Sequence, residues 1–367
     1  MGTSSATTTK VFKTKLLTYK QAIDADIAHY AKEVRTNAAH NFGARSRIAT
    51  DAYLSILERG GKRIRGALTM LGYEMSGGKD QRMILKAARA IEMIHAYILI
   101  IDDINDRSPV RRGGPTAHYL LADYYKRQNL GDDAQHFGES IAMNAALMGN
   151  HAAQMILANL EADNQLVLNA ISIINRSMVI TAHGQFNDIF NEVLVDVREE
   201  DVNKVDEWKT AHYSFLNPLH VGMVLAGADC HATDGITNYA MQAGKAYQIT
   251  DDILGTFGEE FESGKSPLDD LREGKRTILT VYALEHARQS DKNFLIQMLG
   301  NHNLSPVEFQ RCKDILVDSG ALTHAQDLAR TYVEQAIASL RQQKQGWSKD
   351  GTQFLIGLAE YLLSRTS

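Results

Sequence analysis

The sequence predicts an all-α protein forming a single domain, and three observations carry that expectation. Proline occurs only at positions 109, 115, 218, 267 and 306. Because proline is costly inside helices, its absence from 116 to 217 permits several long ones. Apolar residues recur at three- and four-residue spacing in many windows, the period of a helix with one buried face. No alternating strand pattern and no hairpin Asn-Gly interrupts them.

Met1 to Lys10 is rich in Ser and Thr and lacks an apolar core, so it is expected to be a disordered, frayed tail. The folded domain is then expected over 11–367. Leu54, Leu57 and Ile64 flank the first Gly-Gly. Ile84, Ala88, Ile91, Ile94, Ile98 and Ile101 form a stripe that leads to a group of acids, and Ile171, Ile174, Met178 and Thr181 form another. Breaks are expected at Gly60-Gly61, Gly77-Gly78, Gly113-Gly114-Pro115, Gly131-Asp132-Asp133 and Ser263-Gly264. No short-period repeat, low-complexity block or linker divides the chain. The helices of 290–367 carry little chemistry and are expected only to cover one side of the core.

Bulk composition narrows the function classes. A chain of 367 residues can bury a large core and still enclose a cavity. Net charge is −5, with Lys and Arg dispersed, which argues against nucleic acid as a partner. Cys230 and Cys312 are the only cysteines, too few for a disulfide framework or a four-thiolate zinc site. A reducing, cytoplasmic compartment is the expectation. The apolar run Ile91 to Ile101 carries Glu92 and His95 and has about half the length of a membrane span, so no span is expected.

Two acidic constellations stand out. His95, Asp102 and Asp106 fall on nearly one helical stripe, with Asp103 beside it. Carboxylates so placed repel one another unless a cation joins them. Oxygen donors without Cys favour magnesium, manganese or calcium over zinc. Magnesium takes one or two carboxylates and completes its shell with water and phosphate. Gln248, Asp251 and Asp252 share a second helix face. Two such pairs facing each other across a bundle would be a helical metal site. Cations accompany them: Lys62, Arg63 and Arg65 after Gly60-Gly61, Arg111-Arg112 after the first acids, then Lys209, Lys265, Lys275 and Arg276. Arginine forks and lysine point charges bind diphosphate. The spacing at Gly60 to Lys62 is not that of a P-loop. Acids, metal and cations together fit a polyanionic substrate.

Six segments in this order resemble the trans-prenyl diphosphate synthases, the family of farnesyl and geranylgeranyl diphosphate synthases. They are GGKRIR at 60–65, DDIND with SPVRRGGPT at 102–116, GQFNDI at 184–189, KTAHYSF at 209–215, YQITDDILGTFG at 247–258 and GKSPLDDLREGKRT at 264–277. The resemblance implies one bundle of long helices around a deep central cavity, usually a homodimer. It implies head-to-tail condensation of isopentenyl diphosphate with an allylic diphosphate. By position, Asp102, Asp103 and Asp106 would hold two magnesium ions on the allylic diphosphate, and Asp251 and Asp252 a third. Arg111, Lys209 and Lys265 would grip that diphosphate, with Lys209, Thr210 and Gln248 at the reacting centre. Lys62, Arg65, His95 and Arg112 would bind isopentenyl diphosphate. Gln185 and Asp188 would support these groups, and Lys275 would close over the site.

The resemblance departs at Gly255, where the family commonly has a third aspartate in the second cluster; the pair Asp269-Asp270 is a candidate substitute through water. Residues four and five places before the first aspartate, Ile98 and Tyr97, would shape the floor of the hydrocarbon pocket. A bulky Tyr97 without a second aromatic at 98 suggests geranylgeranyl diphosphate as product, with farnesyl diphosphate next. A class I terpene cyclase is the nearest rival, but Asp251-Asp252 together with Lys62 and Arg65 favours condensation. A non-catalytic partner subunit is the rival from another class, and the intact first cluster speaks against it. Tyr97→Ala is expected to lengthen the product; an unchanged product distribution by chromatography would remove Tyr97 as the floor.

Overall fold

The computed structural model describes residues 2–258, 268–342 and 346–365. Nearly all of them are helical. The helices are α1 (Gly2–Glu58), α2 (Ile64–Met75), α3 (Gln81–Asn105), α4 (Ala117–Arg127), α5 (Ala134–Ala158), α6 (Asn164–Val193) and α7 (Glu199–Val205). A π-helix (Asp206–Leu216) follows, then α8 (Asn217–Leu225) and α9 (Cys230–Phe257). The remainder is α10 (Asp269–Glu273), α11 (Ile278–His286), α12 (Gln289–Met298), α13 (Pro306–Asp318), α14 (Ala321–Gln342) and α15 (Lys349–Leu363). The strands among the described residues are β1 (Val110–Arg111) and β2 (Gly114–Pro115), an antiparallel pair that forms a small hairpin between α3 and α4. The all-α expectation holds.

Helix starts follow local chemistry. The Asp80 carboxylate accepts from the N–H groups of Arg82 and Met83, both at 3.0 Å, and so opens α3. Asp163 does the same for α6, and Ser305 with Glu308 forms a capping box on α13. α1 is interrupted at Gly43, whose φ of 82° is left-handed. Arg35, before the kink, binds Asp51 and Glu58 beyond it. In a straight helix Arg35 and Glu58 would lie about 35 Å apart, so the chain folds back at Gly43. A lone glycine within helical periodicity does not mark this break in the sequence.

Where a frayed tail is expected over 1–10, helical backbone begins at Gly2. Packing against α15 accounts for the difference. Phe12 is 1% exposed and meets Phe354 edge-on, with ring centroids 4.9 Å apart, and the Thr9 hydroxyl donates to Glu360.

The larger apolar cluster joins α1, α2, α3, α5, α8 and α9 through residues such as Leu71, Ile91, Ile94 and Tyr239. A second cluster, around Ile249, Leu279, Leu295 and Leu316, fills the space among α9 and α11–α14. Tyr332 and Leu363 touch both. The C-terminal helices therefore do more than cover the core: α14 packs along α9, and α15 ends beside the cavity described below.

The π-helix lies between α6 and α9, and glycine permits the approach on each side. A β-carbon at Gly244 would lie 2.4 Å from Ala211 Cα, and one at Gly184 2.6 Å from the Lys209 nitrogen. Gly244→Ala is accordingly expected to destabilise the fold by ~1–3 kcal/mol through overpacking against backbone. Thermal or denaturant unfolding measures this, and parental stability would show that α9 can shift without cost.

Candidate active site

α3, α6, the π-helix and α9 contribute walls to one cavity of ≈ 1030 Å³. Tyr97, Ile98 and Ile101 from α3 and Met178 and Ala182 from α6 supply apolar lining. Asp102 lies farther along α3, one to two turns past Tyr97. Lys209, Thr210, Gln248, Asp251 and Asp252 bring polar lining from the other two helices. The cavity is thus a polar chamber with an apolar extension.

The first acid group sits at the C-terminal end of α3, where unpaired carbonyls oppose negative charge. Cations from three other elements answer it. Arg111 of the hairpin donates from Nε to Asp103 at 2.6 Å and from Nη2 to Asp102 at 3.2 Å. Lys209 of the π-helix reaches Asp102 at 3.3 Å and Asp188 of α6 at 2.6 Å. Lys275, just before α11, reaches Asp106 at 3.0 Å. Burial disfavours charge on Lys209, but Asp188 and Asp102 outweigh it and raise its pKa. Burial likewise opposes the Asp188 charge, while Lys209 and Lys275 pull its pKa below the usual carboxylate value.

The three carboxylates differ in setting. Asp102 lines the cavity, Asp103 is fully buried against Arg111, and Asp106 caps the helix beneath Lys275. Adjacent residues on a helix point about 100° apart, and the Arg111 guanidinium bridges Asp102 and Asp103. Among the described residues, no three His, Cys, Asp or Glu side chains converge as a metal cage. The donor set still suits magnesium, which needs only one or two carboxylates beside water and phosphate. Asp102 and Asp251-Asp252 offer oxygen donors from different walls of one chamber.

At the second group, Gln248 links both partners of the reacting centre. Its Oε1 accepts from the Thr210 hydroxyl at 2.6 Å, and its Nε2 donates to Asp252 at 2.8 Å. Asp252 is 8% exposed, and burial together with Asp206 and Asp270 raises its pKa well above the carboxylate range. A β-carbon at Gly255 would lie 2.9 Å from Asp270 Oδ2. The Asp270 carboxylate therefore occupies space where a side chain at 255 would begin.

Lys62, Arg63, Arg65, His95 and Arg112 line one end of the same cavity. Arg65 contacts His95 Nε2 at 3.1 Å, donates to Ser214 at 2.6 Å and lies over the Tyr213 ring. Arg112 donates to the Gly60 carbonyl and rests against Gly61, whose φ of 122° and missing side chain make room for it. Lys62 also lines the cavity. Burial, reinforced by Arg65 and Arg112, holds His95 well below the ordinary histidine pKa. Burial lowers Arg112 to about 10, against the pull of Glu92 and with the push of Arg111 and Arg63. Such a crowd of cations favours an anion. Arg63 is 4% exposed and spent on Asp24, Glu92 and the Leu57 carbonyl. Lys265 lies outside the described residues. Gln185 and Asp188 do line the cavity.

Two charged cavity residues, Asp206 and Arg365, stand outside every sequence motif. Arg365, past α15, donates to Asp251 at 2.6 Å and stacks over Tyr247; a lone late arginine carries no pattern. Asp206 is 3% exposed in the cavity wall, and burial with the nearby Asp188 charge pushes its pKa up to about 8. Its signal was available: Val202, Asp206 and Thr210 recur every four residues, and all three are buried.

The family model for polyprenyl synthetases matches residues 46–316. The geranylgeranyl diphosphate synthase of Saccharolobus solfataricus is 32% identical over 86% of this chain and 92% of its own length. The geranylfarnesyl diphosphate synthase of Aeropyrum pernix is 32% identical over 78% of this chain and 84% of its own. A crystal structure of geranylgeranyl pyrophosphate synthase from Corynebacterium glutamicum, complexed with isoprenyl diphosphate and magnesium, superposes with a TM-score of 0.89. It is 27% identical, and the match covers 95% of this chain and 98% of that one. Motif order, helical architecture and these matches agree: the chain belongs to the polyprenyl synthetase family.

Proposed function

We propose that this protein is a short-chain trans-prenyltransferase that condenses isopentenyl diphosphate with an allylic prenyl diphosphate, and that its main product is geranylgeranyl diphosphate. The observation that carries this reading is the single cavity that joins acids and cations at one end to apolar side chains beside Tyr97. The relative named geranylgeranyl diphosphate synthase supports this product, and the geranylfarnesyl diphosphate synthase supports the reaction class.

Asp102, Asp103, Asp106, Asp251 and Asp252 are the proposed magnesium ligands, for about three ions on the family pattern, with Asp270 contributing where Gly255 cannot. Bound magnesium would supply Lewis-acid stabilisation of the departing diphosphate. Lys209 and Arg111 are the cations placed to hold the allylic diphosphate, and Lys265 is proposed with them from the motif alone. Their charges act where negative charge develops as the carbon–oxygen bond breaks. The Thr210 and Gln248 oxygens offer dipoles to the allylic cation. Lys62, Arg65, His95 and Arg112 are proposed to hold isopentenyl diphosphate, aligning its double bond for attack; diphosphate is then the base that takes the lost proton. Tyr97 and Ile98 limit how far the growing chain enters between α3 and α6.

We read 11–367 as one catalytic domain, because Tyr332 and Leu363 tie its two apolar clusters together. A homodimer is proposed on the apolar residues exposed along α5 and α6, among them Leu147, Met155, Leu168 and Phe190. α6 is the one helix among the described residues long and apolar enough to cross a bilayer. It also carries Gln185 and Asp188 into the cavity, so we read it as a wall and an interface, and the protein as cytoplasmic.

Radiolabelled isopentenyl diphosphate supplied with dimethylallyl, geranyl or farnesyl diphosphate tests the activity. Geranylgeranyl diphosphate should dominate, and chelation should abolish turnover until magnesium is restored. A cyclic hydrocarbon made from geranylgeranyl diphosphate alone would overturn the reading in favour of a cyclase; zero turnover rescued by a partner chain would favour a subunit. Lys209→Ala should lower kcat by ~100- to 1000-fold with folding intact, and a near-parental kcat would remove it from leaving-group stabilisation.

A further inference from the structure

Arg59 follows the last residue of α1, and it is half-buried. Its neighbour Glu58 is taken by Arg35, with one contact at 2.9 Å. The Arg59 guanidinium instead donates to the Arg111 carbonyl at 3.1 Å and to the Ser55 hydroxyl at 3.3 Å. A cation drawn out of water usually pairs with a carboxylate. Arg59 is used on the backbone of the hairpin, 52 residues away in sequence.

The bond lands on a particular peptide. The Arg111 carbonyl belongs to the planar unit that joins Arg111 to Arg112, so holding that plane constrains how both side chains leave the hairpin. Arg111 goes to Asp102 and Asp103, and Arg112 goes to the Gly60 carbonyl. Arg112 also has a φ of 51°. Side chains rarely adopt this left-handed conformation, and it persists only where the surroundings hold it. The contact is reciprocal. Arg112 donates back to the residue after Arg59, and a β-carbon at Gly61 would lie 2.8 Å from the Arg112 Cζ. A β-carbon at Gly114 would lie 2.9 Å from the Arg59 Cζ. Two arginines therefore cross between the segments 59–61 and 111–114, each set against a glycine of the other.

We propose that Arg59 is a positioning residue for both substrates: by clasping the peptide between Arg111 and Arg112, it aims Arg111 at one diphosphate and Arg112 at the other. The inference rests on the proposed division of those two arginines between the allylic and isopentenyl diphosphates. Arg59 is not among the residues that line the cavity, so it acts through the hairpin and not by touching substrate. Through Arg112 and Gly60 the same clasp holds the segment that leads to Lys62 and Arg65. The two anion-binding segments are thereby kept in one fixed relation.

Steady-state kinetics of the full-length protein with radiolabelled isopentenyl diphosphate and geranyl diphosphate test this. Arg59→Met retains an unbranched side chain and loses every donor. It should raise KM for both substrates by ~10-fold, with a smaller change in kcat. Arg59→Lys keeps a donor for the carbonyl and should recover most of that loss. Gly114→Ala displaces the guanidinium with its β-carbon and should also raise both KM values. Combining it with Arg59→Met should add nothing further, since both act on one contact. The two variants reach that contact from opposite sides, so a folding defect in one cannot decide the outcome. A rise confined to one substrate overturns the proposal, as do additive effects of Arg59→Met and Gly114→Ala. Parental KM values with a lowered melting temperature would make Arg59 a scaffold residue and refute it. If the parent itself does not condense the two diphosphates, the proposed function fails and this inference falls with it.

Discussion

Negative charge gathered at the wrong end of a helix is the constraint around which this molecule is arranged. The C-terminal end of α3 already carries partial negative charge from its unpaired carbonyls, and the sequence adds Asp102, Asp103 and Asp106 there, two of them buried. Stranded in low dielectric, such groups would protonate or unfold the helix end. Arg111, Lys209 and Lys275 prevent this from three separate elements. Each ion pair that neutralises an aspartate also positions part of the wall: the hairpin, the π-helix and the segment before α11. The electrostatic problem and the architecture of the chamber have the same solution.

The same helix carries the hydrocarbon side of the problem. Its stripe of Ile84, Ile91 and Ile94 anchors it in the core, while Tyr97, Ile98 and Ile101 are left to line the cavity. A single rigid rod thus fixes the distance between the charged end and the apolar floor. Helix rise is nearly constant, so changing the side chain at a position on that rod changes the usable depth without moving the acids. This suits a protein that must hold a diphosphate in one place while its hydrocarbon tail grows.

Much of this was legible in the sequence, because helical periodicity, proline placement and motif spacing are local signals. Asp102, Asp251, Asp252, Lys209-Thr210 and Gln248 share one chamber. What escaped depended on three-dimensional context. Lys62, Arg63 and Arg65 look alike in sequence, yet Arg63 adopts a left-handed backbone and turns inward to Asp24 and Glu92, which only the folded α1 and α3 bring within reach. Asp103 lies beside the Asp102 stripe in sequence, but its full burial against Arg111 depends on the hairpin. Arg365 is distant from every motif and meets Asp251 only because α15 ends beside α9. The fold-back at Gly43 was hidden because a lone glycine within a helical pattern is usually tolerated.

The π-helix at 206–216 has a consequence for how this region can vary. Wider turns change the phase of the helix as well as its length. Lys209 and Thr210 point into the chamber, Phe215 into the core, and α8 continues without a loop, so their directions are set by one running angle. Removing or adding a residue here would act as a rotation, sending every following side chain to a different neighbour while barely altering the span. Substitutions within the segment are local events. Length changes are global ones, and lineages that retain the chemistry should therefore diverge here in letters rather than in gaps.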